Sequence, residues 1–82
     1  MSKSKNKKQY DRFIKTLRLV RESAGVRQID LAQKLDRPQS FVSKYESGER
    51  RIDVIELNEI CDALGISLID FVSSFQGGTN ES

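Results

Sequence analysis

The stretch from Gln28 to Gly48, QIDLAQKLDRPQSFVSKYESG, constrains the fold of this chain more than any other. Leu31, Ala32 and Leu35 place apolar groups at i, i+1 and i+4, while Gln28, Asp30, Gln33 and Lys34 stay polar, the pattern of a short helix with one narrow buried face. Asp36-Arg37-Pro38 interrupts that pattern. A proline ring clashes with a preceding helical turn but fits the first turn of a new helix, so a second helix is expected to start near Pro38. It turns Val42 and Tyr45 inward, leaves Gln39, Ser40, Ser43 and Lys44 outward, and meets a stop at Gly48.

Two short helices joined by a turn of about three or four residues form a helix-turn-helix, whose second helix can lie in the major groove of DNA. The outward residues suit that role. Glutamine pairs in bidentate fashion with adenine, lysine donates to guanine, and serine donates or accepts. Phe41 is expected to pack inward, with a thymine methyl as the alternative contact.

Charge is distributed unevenly. Residues 1–51 hold all 14 Lys and Arg against six acids, a net of +8, whereas residues 52–82 hold six acids and no base, a net of −6. A basic half suits a polyanion. The single cysteine, Cys61, allows no internal disulfide, and the absence of histidine removes the familiar Cys/His metal sites and any nucleophile activated by histidine. No enzyme activity, metal or cofactor is expected, and Cys61 reads as a buried inert thiol. No apolar run approaches the roughly 20 residues of a membrane span, and MSKSKNKK lacks the apolar centre of a signal peptide. The expected location is cytoplasmic, on the nucleoid when DNA is bound, with no membrane partner.

The remaining chain divides around the motif. Residues 1–9 read as a disordered, lysine-rich arm, residues 10–76 as the folded domain and residues 77–82 as a flexible tail. From Tyr10 to Ser23, Phe13, Leu17, Val20 and Ala24 recur at helical spacing, with Gly25 as the stop and Val26 directed at the core. Arg50 and Arg51, immediately behind the second motif helix, are placed for phosphate contacts, because the guanidinium fork matches phosphate oxygens; Arg27 is expected to join them. Asp53 and Glu56 have capping-box spacing and open a helix lined by Leu57, Ile60, Cys61 and Leu64 that closes at Gly65. Ser67 and Asp70 open a last helix that is too apolar for one buried side, so Leu68, Ile69, Val72 and Phe75 are the candidate surface for a second copy of the chain.

In order, Gln28 with Leu31-Ala32, then Val42-Ser43-Lys44-Tyr45-Glu46-Ser47-Gly48, then Ala63-Leu64-Gly65-Ile66-Ser67 resemble the DNA-binding domain of the phage lambda repressor and Cro family, the Xre-type helix-turn-helix. The resemblance runs from about Phe13 to Phe75. It implies an all-α fold of five helices with the motif on the second and third. It also implies that Gln28 touches a phosphate and braces the recognition helix, that Gln39, Ser40 and Lys44 face bases, and that Ser43 lies near bases or backbone. Arg21 and Glu46 match a pair that bridges the first helix to the end of the recognition helix in some members. Two positions depart from the pattern: Asp36 stands where glycine is common, and Pro38 where a Ser or Thr cap is common. The implied function is a sequence-specific, double-stranded DNA-binding transcriptional regulator, a dimeric repressor on a palindromic operator. An antitoxin, a restriction-modification controller, or a protein-interaction module on the same fold is the alternative, with a toxin or polymerase as a further partner.

Overall fold

Apolar residues recurring every three or four positions fold into five helices: α1 (Ser2–Ser23), α2 (Gln28–Leu35), α3 (Gln39–Glu46), α4 (Val54–Leu64) and α5 (Leu68–Asn80). These come from a computed structural model that describes residues 2–80, with side chains described for residues 7–76. The arm's Met1 and the tail's Glu81 and Ser82 lie outside the described residues. Among the described residues, no helix is long and apolar enough to cross a membrane.

The core draws on every helix. Leu17 of α1, Leu31 and Ala32 of α2, Val42 and Tyr45 of α3, Ile60 and Cys61 of α4 and Phe71 of α5 are all but inaccessible to solvent. Each large side chain buried this way contributes about 1.5–3 kcal/mol of transfer free energy. α2 packs on both α3 and α4, while α1 closes the other side against α3 and α5.

The helix ends follow local chemistry. α4 opens with a reciprocal capping box: Glu56 N–H donates to Asp53 Oδ1 at 2.7 Å, and Asp53 N–H donates to Glu56 Oε1 at 3.1 Å. At α5 the N–H of Asp70 donates to Ser67 Oγ at 3.0 Å. Gly65 ends α4 at φ 78°, and a Cβ added there would meet nothing within 4 Å, so the left-handed backbone alone makes glycine the fitting residue.

Several expectations need correcting. α1 begins at Ser2 and not at Tyr10, so residues 2–9 of the expected disordered arm are its opening turns. The arm contains no Gly or Pro, and once Ile14 and Leu17 anchor the helix, upstream propagation costs far less than nucleation did. Likewise α5 continues through Gly77 and Gly78 to Asn80, propagating from Phe71, although each helical glycine costs about 1 kcal/mol. The inner line of α1 is Ile14, Leu17 and Arg21, flanked by half-buried Phe13 and Val20; Ala24 is exposed because the helix has already ended and Gly25, at φ 73°, turns the chain away.

The apolar surplus of α5 also differs from expectation. Phe75 turns toward α1, meeting the Phe13 ring edge-on at 5.9 Å, and Leu68 packs against the core. Ile69 and Val72 remain exposed, and Val54 and Ile55 at the start of α4 join them, with Ile69 as the most accessible at 78%.

Candidate nucleic-acid interface

The turn between α2 and α3 is built without glycine. Asp36 takes the left-handed conformation at φ 57°, which Asp enters more readily than most residues, and Arg37 N–H donates back to the Ala32 carbonyl at 2.9 Å. Pro38 occupies the position just before α3, with φ −66° and ψ 153°, so the helix proper starts at Gln39; the Phe41 N–H donates to the Pro38 carbonyl at 3.0 Å.

Val42 and Tyr45 anchor α3 in the core, which fixes the rotation of the helix and therefore its outer face. Gln39, Ser40 and Lys44 are exposed on that face, and Ser43 is half-buried, its hydroxyl donating to the Ser40 carbonyl at 3.3 Å. Four polar side chains thus stand together on one short helix, with the chemistry to read base edges.

The far end of α3 is locked in place. Arg21 donates to both oxygens of Glu46, Nε to Oε2 at 2.6 Å and Nη2 to Oε1 at 3.0 Å, and its Nη1 donates to the Val26 carbonyl at 2.7 Å. Gln28 Nε2 completes the arrangement by donating to Glu46 Oε1 at 2.9 Å. One carboxylate therefore ties together α1, α2 and α3. The Glu46 side chain is 3% exposed and that of Arg21 is 9% exposed, so the pair is shielded from solvent. The hydrogen bond to Glu46 raises the Arg21 pKa above its ordinary value, outweighing the opposing effect of burial.

Arginines flank the two motif helices in the chain, Arg27 just before α2 and Arg50 and Arg51 in the loop after α3. Arg27 engages Asp30 through two side-chain bonds of 2.9 Å each and adds its backbone N–H at 3.2 Å; the guanidinium and this N–H hold the Asp30 carboxyl down at about 2. Arg51 lies over the Tyr10 ring, 4.2 Å from its centroid. Arg50 is more constrained: it grips Glu56 with Nη1 at 3.1 Å and Nη2 at 3.0 Å and lies 4.8 Å from the Phe41 centroid. That grip lowers the Glu56 pKa, with burial opposing it. Phe41 itself is buried and meets Tyr45 edge-on.

Arg37 belongs with these arginines, although sequence reasoning left it out. Its guanidinium lies 4.3 Å from the Phe41 centroid and its Nη2 is 3.5 Å from Glu56 Oε2. An arginine in the turn just before the recognition helix was the signal available in the sequence.

Comparison with known proteins places this arrangement. Residues 17–71 match the family model for the helix-turn-helix domain. Among solved structures, an XRE-family like protein from Pseudomonas syringae pv. tomato str. DC3000 is 38% identical, superposes with a TM-score of 0.88, and is matched over 95% of each chain. The clp gene regulator ClgR from Corynebacterium glutamicum is 26% identical with a TM-score of 0.73, over 84% of this chain and 88% of that one. The restriction-modification controller protein C.Esp1396I, at 20% identity, shares the fold with a TM-score of 0.81 over 90% of this chain and 96% of that one. A search of the curated protein sequences finds no match. With a family match over more than half its length and a helix-turn-helix whose second helix turns a polar face outward, the chain belongs to the Xre-like helix-turn-helix family.

Proposed function

We propose that this helix-turn-helix protein is a transcription regulator that acts as a homodimer on a two-fold symmetric DNA operator, repressing by occupancy. The observation that carries the reading is the outer face of α3: Gln39, Ser40, Ser43 and Lys44 stand outside the core on a helix whose rotation is fixed by Val42, Tyr45 and Glu46. Gln39, Ser40 and Lys44 read base edges, with Ser43 at the boundary between bases and backbone. Gln28 uses one amide hydrogen on Glu46, leaving the other for a phosphate, and Arg27, Arg50 and Arg51 supply further phosphate contacts. Since Arg27 shares its charge with Asp30 and Arg50 with Glu56, their contribution lies more in directed hydrogen bonds than in net charge.

Dimerisation follows from the exposed apolar residues. Ile69 and Val72 of α5, with Val54 and Ile55 of the adjoining α4, form the self-association surface; Leu68 and Phe75 support it from the side of the core. A two-fold dimer presents two α3 helices to half-sites roughly 34 Å apart.

The test is selection from a randomised duplex pool by the purified chain, with enriched sequences retested across salt concentration. Enrichment of a palindrome whose affinity falls steeply with salt is the expected result. Binding that is equal for all sequences would overturn the base-reading roles, and a non-repeated half-site would overturn the dimer.

A further inference from the structure

Arg37 and Arg50 come from opposite ends of the recognition helix, one from the turn before it and the other from the loop behind it, yet both guanidiniums lie over the same Phe41 ring. Both also place Nη2 on the same atom, Glu56 Oε2, at 3.5 and 3.0 Å. Two like charges are thereby held side by side on one bridging carboxylate, which neutralises only one of them; Asp53 acts on Arg50 as well but forms no ion pair with it among the described residues. The spare positive charge has room for a second anion.

The donors needed to bind that anion are present. Of the five N–H donors of a guanidinium, Arg50 uses two on Glu56 and one on the Arg51 carbonyl at 3.0 Å. Its Nε–H and the second Nη2–H, which form one edge of the guanidinium, carry no bond among the described residues, and the side chain is 40% exposed. The location is also suitable. Phe41 precedes Lys44 by three residues, which at 3.6 residues per turn puts it about 60° around the helix axis from Lys44, on the flank of the outer face.

We propose that Glu56 is a positioning residue that holds Arg37 and Arg50 together as a single clamp for one backbone phosphate on the flank of the recognition helix. The clamp rests on the DNA-binding reading above, which already uses Arg50, and assigns a role to Glu56 and Arg37, which that reading does not need. Glu56 does this from α4 while its other bonds close the α4 capping box, so the clamp is referenced to the core and not to a free loop.

The test exploits a difference of sign. Glu56→Gln removes a negative charge but leaves an oxygen to accept the Asp53 N–H. By charge alone it tightens DNA binding; if Glu56 positions the clamp, binding weakens by about fivefold through the loss of a directed, charge-assisted contact, with the far-UV dichroism unchanged. A second measurement stands even if that variant fails to fold. Because the salt slope counts phosphates neutralised, at about 0.9 each, and a single remaining arginine is spent on Glu56, Arg37→Ala and Arg50→Ala should each weaken binding to a mixed-sequence duplex and each lower the slope by about 0.9. The double variant should lower the slope no further, by about 0.9 in all.

Tighter binding by folded Glu56→Gln overturns the proposal. So does a double variant whose slope is unchanged or falls by about 1.8, the value for two independent phosphates. If the unsubstituted chain binds no duplex at any salt concentration, the DNA-binding reading falls first and the clamp with it.

Discussion

Substituting Glu46 with glutamine tests whether the junction of α1, α2 and α3 depends on a buried charge. The carboxylate accepts two bonds from Arg21 and one from Gln28, all between 2.6 and 3.0 Å, in a site where it is 3% exposed. Glutamine keeps the shape but presents an NH2 group to a set of donors and leaves the Arg21 charge without its partner. Arginine cannot shed that charge by deprotonating. Breaking a buried pair by removing one member costs about 3–5 kcal/mol, against about 0–1 kcal/mol for an exposed pair. An 82-residue domain has a total stability of about 4–12 kcal/mol, so the substitution consumes much of it. At about 4–8 °C per kcal/mol for a domain of this size, the melting temperature should fall by about 12 °C or more.

The assay is urea unfolding of Glu46→Gln, Arg21→Met and the double variant Arg21→Met/Glu46→Gln. Each single variant should lose about 3 kcal/mol or more, and the double variant no more than either single, because it leaves no stranded charge. A cost below about 1 kcal/mol for Glu46→Gln would show that the pair behaves as an exposed one. Fully additive losses in the double variant would refute the stranded-charge reasoning.

Three further outcomes are expected. Lys44→Ala should lose discrimination between the selected operator and random duplex, whereas Arg51→Ala should weaken both alike and flatten the salt slope; equal losses for Lys44→Ala on both duplexes would remove its base-reading role. Ile69→Asp should abolish the proposed self-association in sedimentation velocity while the monomer keeps its stability, since Ile69 is 78% exposed and an acid in the first turn of α5 suits the helix dipole; an unchanged sedimentation coefficient would refute this surface as the interface. Asp30 and Glu56 both have pKa values depressed in the folded state, so their stabilisation is present above the ordinary carboxylate range and is lost as pH falls through the depressed values. With no histidine in the chain, the urea midpoint should be flat from about pH 6 to 8 and fall below about pH 4; a slope in the neutral range would contradict this.

The parts of the fold visible in the sequence were those decided within a few residues. Asp36, Gly65 and the Asp53–Glu56 box act through their own backbone and that of near neighbours, so residue type and spacing were enough. The parts hidden from it depended on what arrives from elsewhere in the chain. Phe75 looked surplus because nothing in α5 says that Phe13 of α1 will sit beside it. Arg50 looked like a free loop cation because Glu56 and Phe41 reach it only after α3 and α4 have packed. Ile14 and Ala24 changed places for a similar reason: periodicity gives the line along a helix, but the neighbours decide where that line begins and ends. The four outward residues of α3 were legible in advance because Val42 and Tyr45, three positions apart, already set the rotation of the helix.

Cys61 offers an internal clock for the opening of this molecule. It is the one thiol in the chain, it lies at zero exposure among core side chains, and burial raises its pKa, so thiolate is scarce in the native state. A thiol reagent at neutral pH therefore has a single target that becomes available only when the core parts. When reclosing outpaces the reagent, the labelling rate divided by that of an unfolded cysteine gives the fraction of molecules open at any moment, with no denaturant present. The same residue would then show how far DNA suppresses that opening.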